Sequence, residues 1–189
     1  MSFTPDEKIQ KIAEAYSLDA RDFLCDHFRV KLDWSDASIQ EIEKAMDTFS
    51  RQAQSAKPTE EQVMGFAKMF GSYVGEVYRK NHGATWGMVE MSGQSFPGLK
   101  AELNGTLFWP WGRARNRLVD GAENNVWHYY SQLPKKPGTP EPPKKGWNFG
   151  NMTMWPNTAL EPTPWTPWGL RKASGWCCLI VRRGSAFHR

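Results

Sequence analysis

The sequence predicts an α+β domain followed by an irregular tail, and three observations carry that reading. Apolar residues recur at steps of three and four through most of residues 1–82, the period of helices that bury one face. The period changes to two after residue 84, as in half-buried strands. Proline, sparse at first, then crowds the chain: nine of the thirteen prolines lie at or beyond residue 134. The expected order is N-terminal helices, one long central helix, a small antiparallel three-stranded meander, a C-terminal helix, and the tail.

Thr4-Pro5-Asp6-Glu7 has the marks of a helix start: a capping hydroxyl, proline at the first helical position and an acid completing a capping box. Ile9, Ile12, Ala13 and Tyr16 supply its apolar face. Asp19 is expected to begin a second short helix carrying Phe23, Leu24 and Phe28. Val30 and Leu32 alternate with charged residues in a brief extended piece. Ser35 then caps a helix with Ile39, Ile42, Met46 and Phe49 on one side.

The long helix is the clearest element. Lys57-Pro58 is a break, because a residue before proline is pushed out of the α region. Thr59 and Gln62 have capping-box spacing, and Val63, Phe66, Phe70, Tyr73, Val74 and Val77 share one face. Gly83 is placed to end it, since glycine takes the left-handed conformation that helix termini favour. Gly71 and Gly75 lie inside the helix, where each costs about 1 kcal/mol relative to alanine. Their spacing of four implies close approach of another part of the chain, and with Tyr73 and Trp86 they are read as packing residues.

Strands are expected near 85–91, 99–103 and 106–109, with Asn104-Gly105 as a hairpin signal. A short helix carrying Ala114, Leu118 and Val119 follows, then a last helix over 123–133 with Val126, Trp127, Tyr129 and Tyr130. The domain boundaries are a compact 1–133, a Pro/Lys-rich linker 134–147 and a Trp/Pro-rich basic tail 148–189, read as mostly disordered.

No run approaches the roughly 20 apolar residues of a membrane span, and the charged start MSFTPDEKIQ lacks a signal-peptide core, so no membrane association and a cytoplasmic location are expected. Cys25, Cys177 and Cys178 form no disulfide framework and no zinc spacing. Cys25 and His27, two apart on a helix, point in different directions and do not make a nucleophile–base pair.

The formal charge of +4 divides unevenly: residues 1–132 hold 15 Lys and Arg against 18 Asp and Glu, while 133–189 hold 9 against 2. Nucleic-acid binding is therefore not expected of the domain, and only weak polyanion attachment is expected of the tail.

No nucleotide loop, metalloprotease or hydrolase motif is present, and no cofactor or metal is expected. Three polar residues merit inspection as a catalytic set: Glu76, His82 and Glu90. The default readings are a solvated ion pair of Glu76 with Arg79 and Lys80, and a helix-end role for His82. Trp109, Trp111, Arg113, Arg115 and Arg117 form a basic-aromatic cluster, the binding candidates of the domain. Its plainer reading is a basic helix face anchored by tryptophan.

GSYVGEVYRKNHGATW followed by WPWGRARNRLVDGAENNVWHYY resembles an uncharacterised family of small bacterial domains of unknown function. That family pairs a Gly-x-Tyr-x-Gly-Glu helix with a tryptophan-bearing strand, a basic segment and an aromatic helix. The matching residues are Gly71, Tyr73, Gly75, Glu76, Trp86, Arg113, Arg117, Gly121 and Tyr130. The resemblance implies a fold and no activity. PNTALEPTPWTP with the RRGSAFHR end is similar to C-terminal extensions that look like translated genomic repeats, which implies no selected role after about residue 150.

Three functions follow from these residues. The first is a non-enzymatic interaction module with a protein partner, offering aromatic residues such as Trp34, Trp109 and Trp111. The second is an enzyme whose site is assembled from the end of the central helix and the meander, using Glu76, His82, Glu90 and Arg113. The third is a weak nucleic-acid or polyanion binder acting through the tail. The PxxP pairs Pro134–Pro137 and Pro164–Pro167 are read as spacer, because such pairs arise wherever proline is abundant.

Overall fold

The computed structural model describes residues 1–137, the side chains of Gln54 and Ser55 apart. The described residues all fall in the first of two units, Met1–Asn148. The tail and all but the first four residues of the linker lie outside them, so the readings of 148–189 and of the Pro164–Pro167 motif lie outside the described residues.

An unforeseen strand comes first. Residues Ser2–Pro5 form β1, which pairs antiparallel with β2, Ala84–Met91, so that Phe3 faces Val89 and Pro5 faces Gly87. Thr4 and Pro5 are thus sheet residues, a correction to the expected helix start. The cap moves to Asp6, whose Oδ1 accepts from the amides of Lys8 at 2.8 Å and Ile9 at 3.3 Å. Helix α1 then runs unbroken over Glu7–Phe28, and Asp19 starts no second helix. Its buried residues Ala13, Ser17, Ala20 and Leu24 follow at steps of four, three and four. Three of them are small, which lets α1 lie close against the long helix.

Ser35 caps as expected, but its first turn is a 3-10 turn, Asp36–Ser38, that leads into α2, Ile39–Ala56. Helix α3, Glu60–His82, opens with the expected capping box: Gln62 N donates to Thr59 Oγ1 at 3.3 Å and Thr59 N donates to Gln62 Oε1 at 2.8 Å. Gly83 closes it at φ +82°.

The sheet continues through β3, Gln94–Ala101, and β4, Leu107–Phe108, giving four strands in sequence order, all antiparallel. The meander therefore has one strand more than expected. The β2–β3 hairpin turns on Ser92 and Gly93, both at positive φ. Helices α4, Pro110–Asp120, and α5, Val126–Ser131, complete the domain.

One face of the sheet carries the core. Register places Trp86, Leu99 and Phe108 side by side, all buried against α3 and α4. Here the two helix glycines act. A Cβ on Gly75 would strike the Trp86 ring and come within 2.7 Å of Leu99. One on Gly71 would lie 2.7 Å from the Pro110 carbonyl oxygen. Side-chain-free backbone is what admits β2 and the start of α4.

Candidate functional site

Three polar assemblies are buried in the helical layer. The first centres on Glu76, whose side chain is fully shielded from water. The indole N–H of Trp86 donates to its Oε1 at 2.8 Å, and Arg79 grips both oxygens at 2.9 and 2.8 Å. The same guanidinium reaches Glu14 of α1 at 3.0 Å. The hydrogen bonds to Glu76 push the Arg79 guanidinium further up from its already high value. This corrects the solvated-pair reading of Glu76. Lys80 does not join it but places its ammonium 3.4 Å above the Trp34 ring, which stacks on Tyr73.

The second assembly surrounds Asp36. Its carboxylate accepts from Asn81 Nδ2 at 2.9 Å, His82 Nε2 at 2.9 Å and the Tyr130 hydroxyl at 2.7 Å. Lys135 Nζ stands 3.5 Å away. Burial alone would raise the Asp36 carboxyl; the hydrogen bonds from Asn81, Tyr130 and His82 outweigh it and hold it below its ordinary value. Burial, reinforced by the bond to Asp36, pushes the Tyr130 hydroxyl up. His82 ends α3 as expected and is, beyond that, a buried partner in this cluster.

The third assembly dismantles the basic-aromatic cluster. Arg117 is buried, with Nε 2.6 Å from Glu43 and Nη2 2.8 Å from Asp47. Glu43 also accepts the Val126 amide at 2.7 Å, tying α2 to both α4 and α5. Burial disfavours the Arg117 charge, but hydrogen bonds to Glu43 and Asp47 more than compensate and its pKa moves up. Arg115 is engaged by Glu60 at 2.8 Å on the surface. Arg113 donates to Asn124 at 3.2 Å and lies over the Tyr129 ring. Burial carries the Tyr129 hydroxyl up to about 12. Trp111 is buried and donates to Ser72 Oγ at 2.8 Å, a correction to the expectation that it offers its ring to a partner. The three arginines point into separate contacts rather than to one anion.

Nor do the residues inspected for catalysis come together. Glu76, His82, Glu90 and Arg113 share no hydrogen-bond partner; Glu90 is exposed and accepts only from the Ser2 hydroxyl among the bonds it makes with side chains. Among the described residues no group of three His, Cys, Asp or Glu is placed to hold a metal ion. No described helix is long and apolar enough to cross a membrane.

What remains is the second face of the sheet. Strand alternation puts Phe3, Thr85, Gly87, Val89, Met91, Phe96, Gly98 and Lys100 opposite the core-facing set. Phe3, Val89 and Phe96 form one row across three strands. Val89 is fully buried yet stands apart from the main core cluster. Gly87 and Gly98 oppose each other in register, and both are needed. A Cβ on Gly87 would meet the Phe3 ring at 2.8 Å, and one on Gly98 would meet Trp109 at 3.3 Å. Nearer still are backbone atoms, the Thr4 carbonyl oxygen at Gly87 and the Phe108 carbonyl oxygen 3.0 Å from the Gly98 position, so the pair lets β1 and β4 lie close to the central strands. Phe96 and Met91 each keep 38% of their surface exposed.

Neither Asp36 nor Glu43 was singled out from sequence, since an acid in the first turns of a helix ordinarily faces water. Phe3 and Phe96 fall outside the elements the sequence predicts, which start at Thr4 and near residue 99, so the row they form with Val89 is not visible from those elements. The alternation Phe3-Thr4-Pro5 against Thr85–Met91 was the available signal.

No family model, no curated protein and no solved structure matches this chain.

Proposed function

We propose that the protein is a non-enzymatic interaction module of a bacterial cytoplasm, and that its outer sheet face receives a protein partner. The exposed Phe96 and Met91, beside Phe3 on a face outside the main core, carry this reading. Apolar side chains set on a rigid sheet give a partner pre-ordered surface at little entropic cost. The buried charges of the domain are committed to one another, which leaves no convergent set for chemistry. Residues 1–132 carry a net charge of −3, so an apolar protein surface suits the face better than a polyanion. The resemblance to small bacterial domains carries no activity and adds nothing to this choice.

The test is affinity capture from host lysate with the full chain and with Phe96→Glu/Met91→Glu. A partner held by the wild type and lost by the variant supports the proposal. A wild-type chain that light scattering shows to be monomeric, with no capture sensitive to the variant, refutes it.

A further inference from the structure

A sheet edge offers hydrogen bonds only where its backbone faces outward, and in an antiparallel ladder that is every second residue. On the β1 side, the Asp6 amide donates to the Trp86 carbonyl oxygen at 3.1 Å. That bond sets the phase: Asp6, Thr4 and Ser2 turn their backbone in to β2, and Phe3 and Pro5 turn theirs out. On the far side, the Ala101 amide donates to the Thr106 carbonyl oxygen at 2.8 Å, while Glu102 donates back to Gly83 at 3.1 Å. Ala101, Leu99, Pro97 and Ser95 therefore face away from β2. Strand β4 pairs with β3 only at Leu99 and Lys100, so Ser95 and Pro97 lie beyond its end. Continuing that register would set Pro97 against Pro110, where α4 has already begun.

Both outward sets thus contain a proline. Pro5 stands at the end of β1 and Pro97 in the uncovered half of β3. Proline has no N–H, and its ring fills the place an incoming carbonyl would take. Neither proline costs the sheet a bond, because each nitrogen points away from the ladder. Within the strands, each edge keeps one outward residue with both donor and acceptor, Phe3 on β1 and Ser95 on β3. One such residue supports a single exchange of hydrogen bonds, whereas strand pairing needs several in succession.

Nothing else described closes these edges. Ser2, Thr4, Pro5, Gln94, Ser95 and Phe96 are exposed. Among the described residues no strand pairs with β1 on its outer side, or with Gln94–Gly98 on the β4 side. The neighbouring side chains make an open edge hazardous. Phe96, 38% exposed, lies between Ser95 and Pro97, and Met91 lies across from Gln94. A vacant edge beside exposed apolar side chains is where chains stack on one another.

We propose that Pro5 and Pro97 close both edges of the sheet against strand pairing by a second copy of this chain. The apolar outer face is thereby displayed without drawing copies together edge to edge. A partner on that face is then held through side chains and not as an added strand. This consequence rests on the outer face being a partner surface, whereas the closure of the edges stands without it.

Light scattering and amide hydrogen exchange on the full chain, with Pro5→Thr and Pro97→Thr, test it. In the wild type the outward amides of Phe3 and Ser95 exchange freely, while that of Phe96, which faces β2, is protected. Each threonine restores an outward N–H and raises the self-association constant by roughly tenfold or more. Association of Pro5→Thr protects the Phe3 amide, and association of Pro97→Thr protects that of Ser95. Adding Ser95→Pro to Pro97→Thr leaves that edge with one outward N–H again and returns the chain to wild-type behaviour. A threonine variant that folds and associates no more than the wild type overturns the proposal for its edge. So does association that leaves the Phe3 and Ser95 amides exchanging freely, because the chains then meet elsewhere. A wild type already associated, with either amide protected, overturns it as well. Pro5→Ala and Pro97→Ala decide the matter if a threonine variant does not fold. Capture by Phe96→Glu/Met91→Glu reports on the outer face alone, so the two readings fail by different results.

Discussion

The Trp86 indole donates to the Glu76 carboxylate at 2.8 Å in a place from which water is excluded on both sides. Helix α3 and strand β2 are consecutive in the chain, so this bond, only ten residues long in sequence, fixes the angle at which the helix turns into the sheet. A buried carboxylate is tolerated there because Arg79 supplies its countercharge and the indole its third donor.

Glu76→Ala is expected to destabilise the protein by about 1–3 kcal/mol, since it leaves the buried Trp86 N–H without an acceptor and Arg79 with Glu14 as its remaining carboxylate. Glu76→Gln keeps an acceptor for the indole and costs less. Urea unfolding followed by tryptophan fluorescence measures both, and equal losses for the two variants would show that the carboxylate charge alone matters.

Glycine-to-alanine changes in α3 should differ in sign along the one helix. At Gly65, where a Cβ would meet nothing within 4 Å, alanine should stabilise by about 0.5–1 kcal/mol. At Gly71 and Gly75 it should destabilise by about 1–3 kcal/mol, because the Pro110 backbone and the Trp86 ring cannot withdraw cheaply. Thermal melts of the three variants check the pattern.

Arg115 and Arg117 stand two residues apart on α4, point to different sides of it and have different fates. Arg117→Ala strands Glu43 in the interior and should cost about 3–5 kcal/mol. Arg115→Ala, which breaks a surface pair with Glu60, should fall within about 0.5 kcal/mol of the wild type. Denaturant midpoints of the two variants give the comparison, and heparin retention should be unchanged by Arg115→Ala.

Asp36 makes the fold sensitive to acid. Its folded pKa lies below its unfolded one, so the unfolded state binds the proton first as pH falls. Its stabilisation is therefore complete above the ordinary carboxyl range near 3.9 and is lost as pH drops through the lower folded value. The difference in unfolding free energy between wild type and Asp36→Asn should be constant from about pH 7 to 5 and shrink below about pH 4. A difference that grew on acidification would contradict the hydrogen-bonded, ionised carboxylate.

Much of the fold was legible in the sequence, and the residues show why. Helix α3 announced itself because capping box, apolar stripe and terminal glycine are all local signals, readable within 25 residues. The glycine spacing at Gly71 and Gly75 likewise pointed to close approach, although not to what approaches. Strand β1 was hidden: its pairing with β2 spans more than 80 residues, and the same Thr4-Pro5-Asp6 residues make an acceptable local cap. Asp19 misled because a polar residue on the exposed side of a continuous helix looks like a fresh N-cap. The polar assemblies were illegible for a related reason. Glu43–Arg117 and Asp36–Tyr130 are separated by 74 and 94 residues, and nothing in the spacing of such residues shows that they will meet.

The first strand also sets a condition on handling the chain. Phe3 sits over Gly87 at the outermost position of the sheet, with Val89 directly across from it. Clipping residues 1–5 would strip the ring away and lay bare both an oily residue and the hydrogen-bonding edge of β2. A polypeptide shortened in that way gains a raw β edge, the feature that invites chains to stack on one another. Proteolytic trimming at the amino end should therefore show itself first as precipitation, before any loss of helix is seen.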